Sequence, residues 1–136
     1  MAKDPTNLGE LEMAILEYLW QRGGCDVKAV YADLGQQRQI THNTVQSTLK
    51  RLWEKRLLTR RKEGHAYLYS PKVNRRELTE LMMNQLMEQL TGSEIDVAMQ
   101  AFVNLTERAG AESLARLEKL VATRRASEEE EQQQND

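Results

Sequence analysis

Apolar residues at Leu11, Ile15, Leu16, Leu19 and Trp20 recur at helical spacing, so the pattern opens with an amphipathic helix. Asn7 followed by Glu10 has the spacing of a capping box at its start, and Gly23-Gly24 stops it. Val27, Val30, Tyr31 and Leu34 outline a second short helix with Asp26 as N-cap and Gly35 as terminator. Ile40, apolar between polar neighbours, predicts a short strand. A third helix starts at Thr41, whose side chain suits the cap position, and runs to about Arg56.

The period then changes. Residues 57–62 and 66–70 are short runs around Glu63-Gly64-His65, and Tyr67 and Tyr69 alternate with Ala66, Leu68 and Ser70. Alternation flanking a glycine that can take positive φ predicts a two-stranded hairpin, which Pro71 ends. Asn74 can cap a further helix carrying Leu78, Leu81, Met82, Leu86 and Leu90 up to Thr91-Gly92. Another begins at Ser93 with Ile95, Met99, Phe102 and Leu105 on its stripe, and a last one after Gly110 carries Leu114, Leu117, Leu120 and Val121. The final SEEEEQQQND holds no apolar residue, and its composition predicts disorder.

Helix, helix, helix, hairpin is the order of a winged helix-turn-helix. The expected fold is therefore mainly α with a small β-hairpin wing: a DNA-binding domain over residues 1–73, a helical dimerisation region over 74–125 and a tail over 126–136. Some fifty residues of short helices cannot close a core of their own, so their apolar faces call for a partner, and a second copy of the chain is the simplest. The dimerisation set is then Leu78, Leu81, Met82, Leu86, Leu90, Ile95, Met99, Phe102, Leu105, Leu114, Leu117 and Val121.

Charge sharpens the picture. The formal net charge is -2, yet residues 38–76 hold eleven cations against two acids, Glu54 and Glu63. Residues 77–136 reverse the balance, with five cations against thirteen acids. A basic island on an acidic chain gives one face a positive field that suits a polyanion.

The third helix shows how that face would work. At 100° per residue Val45, Leu49, Leu52 and Trp53 share one side, so Asn43, Gln46, Ser47 and Lys50 share the other, with Thr44 and Arg51 on its flank. Paired amide donors and acceptors match adenine N6 and N7, and hydroxyls reach bases or phosphates. Lys50, Arg51, Lys55 and Arg56 follow at the end where cations reach phosphates. On the hairpin, Arg60, Arg61 and Lys62 lead to the Gly64 tip and His65 follows, a basic wing for the backbone or a minor groove. With Thr41 and His42 at the helix start, these residues make double-stranded DNA the expected partner.

LGELEMAILEYLW and THNTVQSTLKRLWEKRLLTRRKEGHAYLYSP together resemble the penicillinase-repressor family (BlaI, MecI and the copper-responsive CopY), closely over residues 8–71 and more loosely to about 125. The resemblance implies homodimeric winged-helix repressors that bind dyad operators, dimerise through C-terminal helices, and read DNA with the first turns of the recognition helix. In this sequence that places Asn43, Thr44, Gln46 and Ser47. In the antibiotic-resistance members an upstream sensor peptidase triggers cleavage at an Asn-Phe bond in the dimerisation region, but here Phe102 follows Ala101. The C-terminal cysteine pairs of the copper sensors are absent, so the inducing signal stays open.

No long apolar segment is present to span a membrane, MAKDPTNLGE has no signal-peptide core, and the single Cys25 cannot form an internal disulfide. A reducing cytoplasm is the expected compartment. Cys25 at a helix entry reads as inert or as a redox switch, and His42 and His65, on separate DNA-facing elements, read as phosphate or base contacts rather than metal ligands. Paired catalytic carboxylates, an activated nucleophile and a phosphate-binding glycine loop are missing, so neither an enzyme nor a cofactor is expected. Two rivals remain: a small-molecule-responsive regulator with a pocket beside the Met-rich helix, and a winged helix that docks an acidic protein.

Overall fold

The computed structural model describes residues 8–136, and α1 (Glu10–Arg22) begins directly after Gly9. Asn7, the other half of the expected capping box, lies outside the described residues. Ile15, Leu16 and Leu19 on one face of α1 are fully buried, as the apolar spacing requires. Next comes α2 (Val27–Val30), capped by Asp26, whose carboxylate accepts the Ala29 amide at 2.8 Å, and a wider π-helical turn carries it on to Gly35. The Tyr18 hydroxyl donates to Asp33 in that turn at 2.5 Å. Burial first, and then this hydrogen bond, push the Tyr18 phenol above its ordinary value, so it stays a protonated donor.

Gly35 is needed for a packing reason. A Cβ built there would sit 2.4 Å from the Tyr31 ring, inside van der Waals contact. Tyr31 in turn meets His42 edge to face at 5.7 Å. Gly35→Ala is expected to cost about 1–3 kcal/mol as the ring is displaced, read as a lowered urea midpoint; an unchanged midpoint would show that the ring moves freely.

Two strands, β1 (Leu58–Glu63) and β2 (Ala66–Pro71), follow α3 (His42–Glu54) and pair antiparallel from Leu58 opposite Pro71 to Glu63 opposite Ala66. That register leaves Gly64-His65 as a two-residue loop with Gly64 at φ 62°, the conformation its lack of Cβ permits. The strand expected at Ile40 does not form: its amide bonds to the Gly35 carbonyl, and the side chain packs on the core. Cys25 instead supplies the extra pairing, exchanging two 2.9 Å backbone hydrogen bonds with Tyr69. Likewise α3 ends at Glu54, two residues short of expectation, because Arg56 turns to φ 67° and redirects the chain into the wing.

Val30, Val45, Leu49, Leu52, Leu57, Leu58 and Tyr69 join the α1 residues in one core. Full burial contributes about 1.5–3 kcal/mol per large aliphatic side chain. Beyond the wing, Asn74 and Glu77 form a reciprocal capping box: the Glu77 amide donates to Asn74 at 2.7 Å and the Asn74 amide to Glu77 at 3.3 Å. It starts α4 (Arg75–Glu88), which is tied to α1 by the Arg75–Glu17 ion pair and by Trp20, whose indole donates to the Val73 carbonyl. Leu78, expected at a dimer face, is buried in this same core. Its capped helix start turns it inward, and it leaves the dimerisation set.

Two compact units result, Met1–Met87 and Glu88–Asp136, so α4 goes with the winged-helix unit rather than with the helices after it. In the second unit α5 (Ser93–Arg108) and α6 (Ala111–Asn135) pack on each other, and neither buries any residue fully. The acidic end expected to be disordered is helical to Asn135. Its alanine, glutamates and glutamines are good helix formers, and it extends a helix already nucleated by Leu114 and Leu117.

Candidate nucleic-acid interface

The start of α3 is fixed by Thr41, whose hydroxyl oxygen accepts the Thr44 amide at 3.1 Å. The Thr44 carbonyl then accepts the hydroxyls of Ser47 at 3.1 Å and Thr48 at 2.7 Å. Thr48 faces inward with Val45, Leu49 and Leu52, which are buried; Trp53 is half-buried. The opposite face therefore has to point out. Asn43, Gln46, Ser47 and Lys50 are all exposed, and among the described residues the Asn43 and Gln46 amides make no side-chain hydrogen bond. Their donors and acceptors are open to a partner on a helix that its buried side holds rigid.

At its other end α3 is clamped. Glu12 of α1 is 7% exposed and Lys55 8%. The Lys55 ammonium donates to one Glu12 oxygen at 2.7 Å, and Arg51 lies 3.8 Å from the other. Lys55, read from sequence as a phosphate contact, is thus an internal strut, and Arg51 leans on the same carboxylate while its side chain stays about half exposed. Helical spacing could not reveal this, because Glu12 lies 43 residues away.

The basic wing divides in the same way. Lys62 and His65 are exposed beside the Gly64 loop. Arg61 pairs with Glu63 at 2.7 Å, both largely exposed, a contact worth little in water and easily exchanged for another anion. Arg60 differs from the expectation of an outward cation. Its guanidinium lies 3.6 Å from the centre of the Trp53 ring and 4.1 Å from that of Tyr67.

Between the first turns of α2 and α3 and the strand β2 lies a cleft of about 360 Å³, lined by Asp26, Lys28, His42, Gln46, His65 and Tyr67 among others. It brings together His42 and His65, predicted on separate elements, and adds Lys28 and Tyr67, which the sequence reading left out. The Asp26 cap was the signal for Lys28, since a cap fixes which residues form the exposed first turn. Among the described residues no three of His, Cys, Asp and Glu cluster as metal ligands.

Three helices closed by a two-stranded hairpin, with an outward amide and hydroxyl face on the third, define a winged helix-turn-helix domain. The chain belongs to the penicillinase repressor family, whose sequence model matches residues 8–123. That family consists of transcriptional repressors, not enzymes. A transcriptional regulator BlaI of Mycobacterium tuberculosis is 32% identical over 118 residues, covering 86% of this chain and 84% of the relative. A penicillinase repressor of Bacillus licheniformis is 20% identical over 112 residues, covering 82% and 87%. The solution structure of the DNA-binding domain of the repressor BlaI superposes with a TM-score of 0.50 at 25% identity, over 57% of this chain and 93% of that one.

Proposed function

We propose that the chain represses transcription as a homodimer that binds a pseudo-palindromic operator and occludes the promoter it overlaps. One recognition helix serves each half-site. The observation that carries this reading is α3 itself: one side locked by Val45, Leu49, Leu52 and the Glu12–Lys55 pair, the other offering open amides and hydroxyls. Asn43, Gln46, Ser47 and Thr44 face base edges, while Lys50, Arg51, Arg61, Lys62 and the two histidines face phosphates. Thr41 acts on DNA through the helix start it caps.

Support for the second copy comes from the Glu88–Asp136 unit. Val97, Met99, Phe102, Val103 and Leu105 on α5, with Leu120 and Val121 on α6, are exposed, a broad apolar surface for two helices that bury nothing fully. A second copy of those helices supplies the missing core. No helix among the described residues is long and apolar enough to cross a membrane, in keeping with action on DNA in the cytoplasm. A sensor-linked peptidase would have to unwind α5 to cut Ala101–Phe102, because that bond lies inside the Ser93–Arg108 helix.

Selection of duplexes from a random pool tests the reading, with sedimentation fixing the number of chains bound. A dyad-symmetric site holding two chains is expected; recovery of no preferred duplex would overturn it. Lys62→Ala should weaken all duplexes alike and lower the log-log salt slope by about 1 for each phosphate it no longer neutralises. A Lys62→Ala slope equal to that of the unaltered chain would remove Lys62 from the phosphate set.

A further inference from the structure

We propose that Arg60 is a positioning residue: sandwiched between Trp53 and Tyr67, it sets the angle of the wing against the recognition helix instead of contacting a phosphate. The inference rests on the DNA-binding reading for its consequence, though not for its geometry.

The strand register explains how the sandwich arises. Arg60 stands opposite Tyr69 and Lys62 opposite Tyr67, so these four side chains share one sheet face. Tyr69 is buried, which identifies that face as the one turned toward the helices. From there Arg60 reaches Trp53 in the last turn of α3, and Tyr67 covers it from the neighbouring strand. Both rings lie well inside the roughly 6 Å at which a cation is held by an aromatic face.

A guanidinium suits this place because it is planar and weakly hydrated, so rings can stack on it; an ammonium is a hydrated point charge that cannot bridge two rings in the same way. The base of the wing is fixed independently by buried Leu57 and Leu58 and by the Cys25–Tyr69 backbone pairing. Among the described residues nothing comparable holds the outer half, where Lys62, Gly64 and His65 are exposed. Arg60 lies between the two halves, so its stack decides whether the tip is presented at one angle or many. The energy that Lys62 and His65 gain from a phosphate then depends on a residue that touches none.

The test uses the full chain with the duplex selected from the random pool, and compares Arg60→Lys, Arg60→Ala, Lys62→Ala and the Arg60→Ala/Lys62→Ala pair. Without DNA, in a Trp20→Phe background, Arg60→Ala should expose Trp53 to acrylamide quenching; unchanged quenching would overturn the sandwich. With DNA, Arg60→Lys should lose affinity about tenfold, nearly as much as Arg60→Ala, because charge is kept and stacking is not. In the paired variant Arg60→Ala should add less than about twofold to Lys62→Ala, the mark of residues acting as one unit. Arg60→Lys binding at full strength, or additive losses in the pair, would make Arg60 an ordinary phosphate contact. If the unaltered chain selects no duplex, the DNA-binding reading fails while the quenching result still judges the sandwich.

Discussion

Glu12→Ala is expected to destabilise the winged-helix unit by about 3–5 kcal/mol, the range for removing one partner of a buried ion pair. The Lys55 ammonium would stay buried while losing the carboxylate 2.7 Å away. Arg51, 3.8 Å from that carboxylate and about half exposed, would turn to solvent at little cost. The paired change Glu12→Leu with Lys55→Met should recover most of the loss, because an apolar pair of similar volume carries no desolvation penalty. Urea denaturation of the three variants decides the matter. A Glu12→Ala midpoint within error of the unaltered chain would mean that Lys55 escapes to water and the strut carries nothing.

Gln46→Ala and Asn43→Ala should do the reverse, leaving stability intact while changing recognition. Both side chains are exposed on a helix whose other face makes the core, so truncation removes no buried area. Removing a bidentate amide bond to a base should reduce discrimination by about 1–3 kcal/mol at one position of each half-site. The salt slope should hardly move, since neither residue carries charge. Repeating duplex selection with each variant shows whether preference relaxes at a single base pair. If both variants select the original duplex unchanged, α3 does not read bases through these amides.

Together these experiments separate two jobs within a few turns of one helix. Glu12 acts on how α3 is held, and Gln46 on what it meets. Arg51 belongs to both, since its guanidinium shares the Glu12 carboxylate yet remains about half exposed, so a phosphate could draw it outward.

Local chemistry makes much of this legible in the sequence. Asp26 and Thr41 cap the helices they were expected to cap, Gly64 turns the hairpin, and Val45, Leu49 and Leu52 face inward, because capping, positive φ and helical period act over four residues or fewer. The winged-helix order followed, and the family match agrees with it. What stayed hidden depends on distant groups. Lys55 looked like a phosphate ligand but is held by Glu12, Arg60 lies against two rings from other elements, and Leu78, expected at an interface, is packed in the core.

The acidic end shows the opposite error, for its composition suggested disorder while the preceding turns of α6 carry the helix to Asn135. Nucleation is the costly step in a helix, and once α6 has begun, residues without a core to join can still propagate it.

The sequence by itself determined which face of α3 is polar, that Asp26, Thr41 and Asn74 start the helices they cap, and that eleven cations fall in one stretch of the chain. Those properties belong to neighbouring residues. Only the tertiary structure decided which of the cations point outward. A charge is taken up by an internal partner or kept for an external one according to what lies across the fold, and Glu12, Trp53 and Tyr67 reach Lys55 and Arg60 only after the chain has closed.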